Sequence, residues 1–508
     1  MLGKRPALVA DKNEASCSFY GEGIGDRDAE QLSMALKCHS TLTMLDLRYN
    51  LIGDQGAEYL SAVVEHNRSL KTLELDHNLI HSCGARWLAG ALRHNSTLKS
   101  FSLAQNDIGD EGAGWVADAL EHNGSLTTLN LDNCGIWHRG GERLGTVLER
   151  NSTLTSLSFT LNDIGHMGAR GAATALRHNV TLTTLVVDRN GIGDQGAKVL
   201  ADGLACNSSL KVLNLNANHF GTLGAGFVAR ALQHNSALTT LQLRDNCIGD
   251  KGAEHLAAVV GYCLALSTLE LAGGSIGHQG AGSLADALGC NYTLTTLDLC
   301  RNDIGGEGAE RLATALESNG VLKTLLLGWN AIQDRGAECL GAALERNCAL
   351  TTLDLAGNLI GQRGLEPLLT ALERNCSLTT LECGSNIFEG VWAMRLATAL
   401  ERNQAGVLVL TISIELRGPA QYEIVCTTMG GLCVARLDIQ PRQTIAILRK
   451  AIVGQLAFRG HLRLALANGK LLVNPNIAIA DCFPSLPSIP ADFHAGRPGA
   501  CCKRRRAS

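Results

Sequence analysis

The amino-acid sequence predicts an α/β solenoid, a stack of similar units that each hold one short strand and one helix, followed by a small second domain. The main observation is an unbroken period of 28 residues, and the others are an alternation of leucines and a helical stripe within each period. Thirteen copies follow one another without an insertion or deletion, and their first leucines are Leu42, Leu70, Leu98, Leu126, Leu154, Leu182, Leu210, Leu238, Leu266, Leu294, Leu322, Leu350 and Leu378.

Each unit begins with a strand pattern. Leu73 and Leu75 alternate with Thr72, Glu74 and Asp76, which predicts that the leucines face the core and the others face out. A glycine-rich bend follows. After the bend, pairs of apolar residues four positions apart, such as Leu88 and Leu92, form the buried stripe of a helix.

An asparagine three residues after the second leucine recurs in eleven of the thirteen copies, for example at Asn78. A buried carboxamide at a bend can bond backbone groups that the turning chain leaves unpaired, so these asparagines are interpreted as structural. Cys134 and Gly274 replace it in the other two copies, and a soft joint is expected at Gly274 because glycine supplies no side-chain partner.

A second asparagine register carries the N-x-[ST] triplet of a glycosylation acceptor. Since all eight triplets share one position at the end of the repeat helix, the favoured interpretation is a structural helix-to-strand connection. The asparagines are Asn67, Asn95, Asn123, Asn151, Asn179, Asn207, Asn291 and Asn375.

Stacking such units predicts curvature. Neighbouring strands lie about 4.8 Å apart, whereas packed helices need roughly 8–10 Å. The expected shape is a horseshoe with a parallel sheet inside and helices outside, whose concave surface is on the order of 60 Å along the arc.

The repeat, L-x-x-L-x-L-x-x-N-x-I-x-x-x-G-A-x-x-L-A-x-A-L-x-x-N, resembles the ribonuclease-inhibitor type of leucine-rich repeat. Similar repeats occur in the sensor regions of NOD-like receptors and in Ran GTPase-activating proteins. The resemblance implies a protein-binding platform and does not identify the partner.

The predicted domain organisation has five parts. A weakened copy of the repeat with Cys17, Phe19 and Ile24 reads as an N-terminal cap, as a solenoid end requires. The parts are a disordered segment at 1–13, the cap and thirteen repeats at 14–404, a strand capping the repeat sheet plus a linker at 405–421, a ubiquitin-like domain at 422–483, and a disordered basic tail at 484–508.

The second domain combines a hairpin around Gly430-Gly431, a helix with Ile445 and Leu456, and two short strands around Asn468-Gly469. The phrases D-I-x-P-x-x-T-I, from Asp438, and A-x-G-K-x-L, from Ala467, resemble ubiquitin, which implies a β-grasp fold and a docking role. The chain continues without a terminal Gly-Gly and carries Ala465 in place of a recognition-patch isoleucine. Conjugation is therefore not expected, and Ala465 argues against binding to ordinary ubiquitin receptors without deciding it.

Catalytic patterns are not found in the sequence. It has no G-x-x-x-x-G-K-[ST] phosphate loop and no H-E-x-x-H or other metal-spaced histidines. We expect no enzymatic activity, no cofactor and no bound metal.

The outward row of the predicted sheet is the best candidate binding site. It is strongly acidic and would attract a basic protein partner by long-range steering, although acidic residues are also a common way to keep such a sheet soluble. Tyr49 and Trp329 lie one position further along and are candidate aromatic anchors. The row comprises Asp46, Glu74, Asp76, Asp132, Asp188, Arg244, Glu270, Asp298, Asp354 and Glu382, with Arg48 as the second arginine.

The basic tail allows three functional interpretations, besides the interpretation that it has no specific function. Cys501-Cys502 next to Lys503 and three arginines, 504–506, resembles a palmitoylated polybasic membrane anchor. The same residues fit a nuclear-import patch or a basic-directed kinase site. The inert reading is favoured, so membrane association is not expected.

Bulk properties point to an intracellular protein. The net charge of −4 does not favour nucleic-acid binding, the first fourteen residues lack the apolar core of a secretory signal, and no apolar run of about 18 residues is present. We expect a monomeric cytoplasmic (alternatively nuclear) scaffold or adaptor with reduced cysteines. On this hypothesis the repeats capture one protein and the ubiquitin-like domain docks another. The alternative hypothesis is a regulator of a small GTPase.

Overall fold

The computed structural model describes residues 15–37, 39–372, 374–375 and 377–387, together with the backbone of strands at 407–418, 421–428, 433–439 and 461–466. The predictions for segments 1–13 and 484–508, including Cys501-Cys502, lie outside the described residues. The chain divides into two compact units, Met1–Gln404 and Ala405–Ser508.

The first unit alternates strands and helices as the 28-residue period predicts. Each strand is three residues long, and each described helix is 11–14 residues long. The elements are β1 (Ser16–Ser18), α1 (Asp26–Leu36), β2 (Met44–Asp46), α2 (Asp54–His66), β3 (Thr72–Glu74), α3 (Ser82–His94), β4 (Ser100–Ser102), α4 (Gly109–Leu120), β5 (Thr128–Asn130), α5 (His138–Leu148), β6 (Ser156–Ser158), α6 (Gly165–His178), β7 (Thr184–Val186), α7 (Gly193–Leu204), β8 (Val212–Asn214), α8 (Thr222–Leu232), β9 (Thr240–Gln242), α9 (Gly249–Val260), β10 (Thr268–Glu270), α10 (His278–Cys290), β11 (Thr296–Asp298), α11 (Gly305–Ser318), β12 (Thr324–Leu326), α12 (Gln333–Leu344), β13 (Thr352–Asp354), α13 (Gln362–Leu372) and β14 (Thr380–Glu382).

The fourteen strands form one parallel sheet in sequence order. Each strand pairs with the next in a register of 28 residues, so that Leu45 lies opposite Leu73 and Leu297 opposite Leu325. Equivalent side chains of successive repeats therefore lie in columns across the sheet. In the predicted cap unit, β1 pairs with β2 and Cys17 is buried at its centre.

The core is one continuous layer between the strands and the helices. In the repeat that begins at Leu70, the strand contributes Leu73 and Leu75 and the helix contributes Leu88 and Leu92, all at most 1% exposed. Burying a leucine side chain stabilises a fold by about 1.5–3 kcal/mol, so repetition of this set over the array supplies most of the stability.

The bend asparagines are structural, as predicted. The side-chain amide of Asn302 donates to the carbonyls of Leu271 and Leu299, and its oxygen accepts from the amides of Gly274 and Ile276. Cys134 takes over part of this role, because its thiol donates to the carbonyl of Leu103 at 3.2 Å.

The asparagines of the N-x-[ST] triplets are buried at the ends of the repeat helices. Asn95 donates to the carbonyl of Val64 and accepts from the amides of Thr97 and Leu98. These carboxamides are committed to the joints between repeats, which confirms the structural interpretation over that of glycosylation acceptors.

Helix starts fall into two kinds, which the sequence analysis did not foresee. In six of the described repeats an aspartate in the first helical turn accepts two backbone N–H bonds from the start of the next repeat's helix; the aspartates are Asp26, Asp54, Asp110, Asp194, Asp250 and Asp334. Where this acceptor is missing, the helix begins on a residue with a left-handed backbone; these residues are Gly109, Gly165, Gly193, Gly249, Gly305 and Gln333.

The second unit contains a four-stranded sheet of β15 (Val407–Gly418), β16 (Gln421–Thr428), β17 (Cys433–Ile439) and β18 (His461–Leu466), in the order β17-β16-β15-β18. The two strands predicted to flank Gly430-Gly431 are present as the antiparallel pair β16 and β17. The predicted helix with Ile445 and Leu456, and the turn at Asn468-Gly469, lie outside the described residues.

The prediction that 405–421 caps the repeat sheet is wrong. Strand β15 pairs antiparallel with β16 and parallel with β18, and the fourteen-stranded sheet does not include it. The physical reason is that its partners are long enough to bond an eight-residue ladder, whereas the repeat strands offer three residues each.

Candidate functional site

The candidate site is the outward side of the repeat sheet, here called the strand face. It consists of the side chains at the first and third strand positions and at the position two residues beyond the strand. In β3 these are Thr72, Glu74 and Asp76, which are partly exposed on either side of the buried Leu73 and Leu75. Because successive strands are in register, the strand face has three columns that run from repeat to repeat.

At the N-terminal end, Asp46 forms an ion pair with Arg48 of the same repeat. Nε of Arg48 lies 2.9 Å from one carboxylate oxygen, Nη2 lies 2.9 Å from the other, and the hydroxyl of Ser18 donates to it as well. The hydrogen bond from Arg48 lowers the pKa of Asp46. Asp46 is buried and neutralised, so the prediction that it presents a free charge to a partner is not supported by its geometry.

The next carboxylates, Glu74 and Asp76, differ from Asp46. Asp76 accepts from the hydroxyl of Ser102 and from the amide of Ala104, yet partial burial outweighs these bonds and raises its pKa. Burial and the neighbouring charge of Asp76 raise the pKa of Glu74. These two side chains form an anionic pair near the N-terminal end of the strand face.

Asp132 and Asp188 lie further along the same column as Asp76. The hydroxyl of Ser158 and the amide of Thr160 each donate to Asp132 at 2.6 Å, and burial raises its pKa. Burial also raises the pKa of Asp188, whose Oδ1 accepts no hydrogen bond from the described part of the chain. Both side chains are partly buried at the surface of the sheet.

The centre of the strand face is an ion-pair network around Arg244. Its Nε lies 2.8 Å from Oε2 of Glu270 and its Nη2 lies 2.7 Å from Oδ2 of Asp298. Gln242 donates to the same Glu270 oxygen. Asp298 is only 3% exposed. The geometry therefore does not support the prediction that Glu270 and Asp298 attract a partner, because one internal arginine already binds both.

At the C-terminal end, Asp354 and Glu382 are opposite each other on β13 and β14. Asp354 accepts from the amide of Ala356 at 2.8 Å and lies 3.6 Å from the thiol of Cys300. Burial raises the pKa of Asp354, and burial together with Asp354 raises that of Glu382. Among the described residues neither carboxylate has an ion-pair partner.

The two predicted aromatic anchors, Tyr49 and Trp329, occupy one equivalent position ten repeats apart, and both are about half exposed, at 48% and 56%. Their surroundings differ. The ring of Tyr49 stacks on His77, with centroids 4.1 Å apart, and contacts Tyr20 at 4.9 Å. The indole of Trp329 lies against the backbone of Gly357 in the next repeat.

Sequence reasoning missed a set of exposed apolar residues at the bends beside the strand face. Leu51 and Leu79 flank Tyr49, and Leu359 and Ile387 follow Trp329. The signal was available, because the same repeat position holds polar or small residues in many other repeats, for example Asp107, Gly191 and Ser275. A buried isoleucine directly follows Leu51, Leu79 and Leu359, and its regular recurrence masked these leucines in the pattern.

A catalytic or metal centre does not emerge from the described part of the chain. Within it, no group of three or more histidine, cysteine, aspartate or glutamate side chains is arranged to hold a metal ion. The thiol of Cys300 lies between Asp298 and Asp354, and its pKa is raised by burial and by both carboxylates, so it is a poor nucleophile. None of the described helices is both long and apolar enough to cross a membrane.

Comparison with known proteins finds one matching family model. The leucine-rich repeat profile matches residues 38–61, 94–114, 150–170, 178–201, 206–229, 234–257, 290–313, 318–341 and 346–369. No curated protein sequence matches the chain.

Two solved structures illustrate the fold similarity. An internalin from Listeria monocytogenes is 20% identical over 72% of this chain and 86% of its own, with a TM-score of 0.45. The complex of Rad7 and Elc1 from yeast contains a chain that is 19% identical over 68% of this chain and 82% of its own, with a TM-score of 0.40.

Proposed function

Because this chain is a leucine-rich repeat protein, we propose that it is a non-enzymatic scaffold that captures a protein partner on its strand face. Leucine-rich repeat proteins generally act in protein–protein interactions. One observation supports this site above others: fourteen parallel strands in register present three columns of side chains, most of them partly exposed, on a rigid support. A surface of this kind positions many contacts at little cost in ordering entropy.

Charge suggests the chemistry of the partner. The three columns hold nine carboxylates and two arginines, Arg48 and Arg244, and both arginines are bound internally. Six of the carboxylates have no arginine ion pair among the described residues: Asp132 and Asp188 lie in the middle of the array, and Glu74, Asp76, Asp354 and Glu382 lie towards its two ends. We therefore propose a partner with basic side chains, because carboxylates whose charge is poorly compensated gain most from a cation.

Two further features of the hypothesis rest on sequence resemblance. We propose that the repeats are of the ribonuclease-inhibitor type and form an arc, which agrees with a full helix of 11–14 residues in each described repeat. We also propose that residues 422–483 form a ubiquitin-like domain that docks a second component. Its support is the hairpin of β16 and β17 beside the parallel pair of β15 and β18.

The proposed regulation of a small GTPase has less support. It would need an exposed arginine at one end of the repeat array that reaches the nucleotide of a bound GTPase. Arg48 lies at the N-terminal end of the strand face but is paired with Asp46. A GTP hydrolysis assay with candidate GTPases tests this alternative, and no acceleration is expected.

The scaffold proposal is tested by proximity labelling in cells followed by mass spectrometry. The strand-face variant neutralises the four acids near the two ends that have no arginine ion pair, and it carries Glu74→Gln, Asp76→Asn, Asp354→Asn and Glu382→Gln. We expect labelling of the main partners to fall at least about tenfold, since each charge that contacts a partner contributes roughly 0.5–1 kcal/mol.

A matched control makes the same change in net charge on the helical side of the array. It carries Glu65→Gln, Glu142→Gln, Glu307→Gln and Glu366→Gln, four exposed positions on helices. The control should retain the partners. Equal loss in both variants, or retention in both, would show that the strand face is not the capture surface.

A further inference from the structure

Trp329 is the most unusual residue on the edge of the strand face. It follows β12 on a bend with a φ of +61°, a conformation that side chains other than glycine adopt at a cost of roughly 1–2 kcal/mol. The equivalent residue of each described repeat has this left-handed backbone, and glycine occupies the position at Gly273 and Gly357. The chain places a large, half-exposed indole where the smallest residue would be best accommodated.

The indole is held by a glycine of the next repeat. A Cβ atom on Gly357 would lie 2.5 Å from Cδ2 and 2.7 Å from Cε2 of Trp329, too close for any other residue without moving the ring. One face of the indole therefore rests on the backbone of Gly357 while much of the side chain stays accessible. Tyr49, the equivalent residue ten repeats earlier, is instead packed against two other rings, those of Tyr20 and His77.

Apolar surface continues beyond the indole. Leu359 lies two residues after Gly357 and is 51% exposed, and Ile387 occupies the position equivalent to Leu359 one repeat later and is 67% exposed. A single exposed apolar side chain needs no explanation, but several in consecutive repeats beside an exposed tryptophan are typical of an interaction surface.

Carboxylates border this apolar surface on the strand side. Asp354 precedes Gly357 by three residues, and a Cβ atom on Gly328, next to Trp329, would lie 2.8 Å from Asp354 Oδ2. Glu382 is opposite Asp354 on the neighbouring strand. On the other side, Arg301 occupies the position of Trp329 one repeat earlier. Negative charge therefore adjoins the indole on the side of the following repeats, where Asp354 and Glu382 lie, and not on the side of Arg301.

We propose that Trp329, Leu359 and Ile387 with Asp354 and Glu382, here called the Trp329 patch, dock a peptide segment of a partner protein in which an arginine or lysine adjoins an aliphatic or aromatic side chain. The cation would lie between the carboxylates and the indole face, where charge and cation–π attraction act together. The apolar neighbour would cover Leu359 and Ile387. This inference rests on the proposed scaffold function and names the chemistry of its partner.

The test uses the immobilised full chain and a phage-displayed library of random twelve-residue peptides. We expect enrichment of peptides that combine arginine or lysine with an adjacent apolar residue. For an enriched synthetic peptide, Trp329→Ser should raise the Kd at least tenfold. Gly357→Ala, which keeps the tryptophan but displaces its ring, should raise the Kd about as much.

Two more variants separate the parts of the patch. The pair Asp354→Asn and Glu382→Gln should weaken binding and remove most of its salt dependence. The matched control Trp87→Ser, at a tryptophan that is 50% exposed on helix α3, should leave the Kd within twofold. Circular dichroism melting of each variant checks that the fold is retained, and Trp329→Ser carries the test if Gly357→Ala unfolds the chain.

Enrichment of acidic peptides, or unchanged affinity in Trp329→Ser, would overturn the Trp329 patch. That failure is distinct from failure of the scaffold proposal. If the four-acid strand-face variant loses its cellular partners while Trp329→Ser retains them, the scaffold stands and capture occurs elsewhere on the strand face. If neither variant loses them, both proposals fall.

Discussion

Arg244 joins two strands that are not adjacent: its Nη2 atom lies 2.7 Å from Oδ2 of Asp298, two repeats further along the chain, while its Nε atom lies 2.8 Å from Glu270 in the repeat between. A ladder of short strands is held mainly by bonds between neighbours. This side chain adds a link across three repeats and removes two carboxylates from the charge that a partner would meet.

Replacement of Arg244 by glutamine should destabilise the repeat array. Asp298 is almost fully buried, so loss of its cation leaves the charge with the backbone amide of Cys300 as a remaining donor. Because the side chain of Arg244 is itself 41% exposed and its charge is screened by solvent, the free energy of unfolding in urea should fall by about 1–2 kcal/mol. The double variant Arg244→Gln, Asp298→Asn should recover part of this loss. Additive losses in the double variant would contradict a direct coupling between the two side chains.

Replacement of Glu382 by glutamine should stabilise the protein at neutral pH. Burial and Asp354 raise the pKa of Glu382 above 4.5 in the folded state, so the folded chain binds the proton more tightly than the unfolded chain. Wild-type stability therefore falls as pH rises through the window between 4.5 and the raised pKa. Urea unfolding at pH 7 should favour the variant by up to about 1 kcal/mol, and the advantage should shrink on acidification to the bottom of that window.

Asp46 serves as the control of opposite sign. Arg48 lowers its pKa below 3.8, so its contribution to stability is present above 3.8 and is lost as pH falls through the folded-state pKa. Asp46→Asn should be less stable than wild type at pH 7. A pH-independent difference for both variants would contradict the assignment of the two shifts.

The bend asparagines predict two substitutions with opposite effects on the free energy of unfolding. Asn302→Ala should lower the free energy of unfolding by about 3 kcal/mol, because it leaves buried carbonyls and amides of the neighbouring bends without partners. Gly274→Asn should restore the missing side-chain carboxamide and raise the free energy of unfolding. The gain should be smaller than the loss in Asn302→Ala, because the new Cβ would lie only 3.0 Å from the carbonyl oxygen of Leu271.

Hydrogen exchange tests the soft joint expected at Gly274. In the repeat that contains Gly274, the amide of Ile276 donates to the side-chain oxygen of Asn302, which lies in the next repeat. The equivalent acceptor for Ile248 would be a side chain at position 274, where the sequence has glycine. The amide of Ile248 should exchange faster than that of Ile276, and the two rates should converge in Gly274→Asn. Equal protection in the wild type would mean that the joint is as firm as the others.

The two kinds of helix start predict that Gln333→Gly stabilises the array by about 1 kcal/mol. Gln333 has a φ of +60° at a position where five other repeats carry glycine with the same conformation. The reverse change, Gly305→Gln, should destabilise by a similar amount. A melting temperature that rises in Gln333→Gly and falls in Gly305→Gln would support backbone strain at Gln333. A lower melting temperature in both variants would contradict it.

Asp334→Ala tests the other kind of helix start. The carboxylate accepts from the amides of Gly361 at 2.6 Å and Gly364 at 3.0 Å, so its removal should cost about 1–2 kcal/mol in urea unfolding. Asp303→Ala is a suitable control, because it changes an exposed aspartate of the same array at a bend. A larger loss in the control would contradict a capping role.

Much of the fold was predictable because the period is exact in the sequence and each repeat has the same task. Leu73, Leu88 and the bend asparagine Asn78 recur at fixed spacing, and their burial follows from the periodicities of strand and helix. The assignment of strand β15 to the repeat sheet failed, because alternation of apolar residues shows that a strand exists but does not identify its neighbours.

The position of the candidate binding surface was predictable from the sequence. Which of its carboxylates are paired with an arginine was not. Period-two alternation indicates that Asp298 and Glu382 point away from the leucines, but it treats both as equally exposed. Only the fold brings Arg244 to Asp298 across 54 residues and leaves Glu382 opposite another acid. The same holds for Trp329, whose support comes from the absence of a side chain at Gly357.

Local patterns in this chain therefore encode which residues form strands, bends and helices, since these depend on spacings of a few residues repeated every 28 positions. Which carboxylates stay charged towards solvent, which aromatic ring is accessible and which helices need an aspartate from the preceding repeat depend on contacts between residues one or two repeats apart. Those contacts are set by packing and by charge at a few ångströms, which no periodicity encodes.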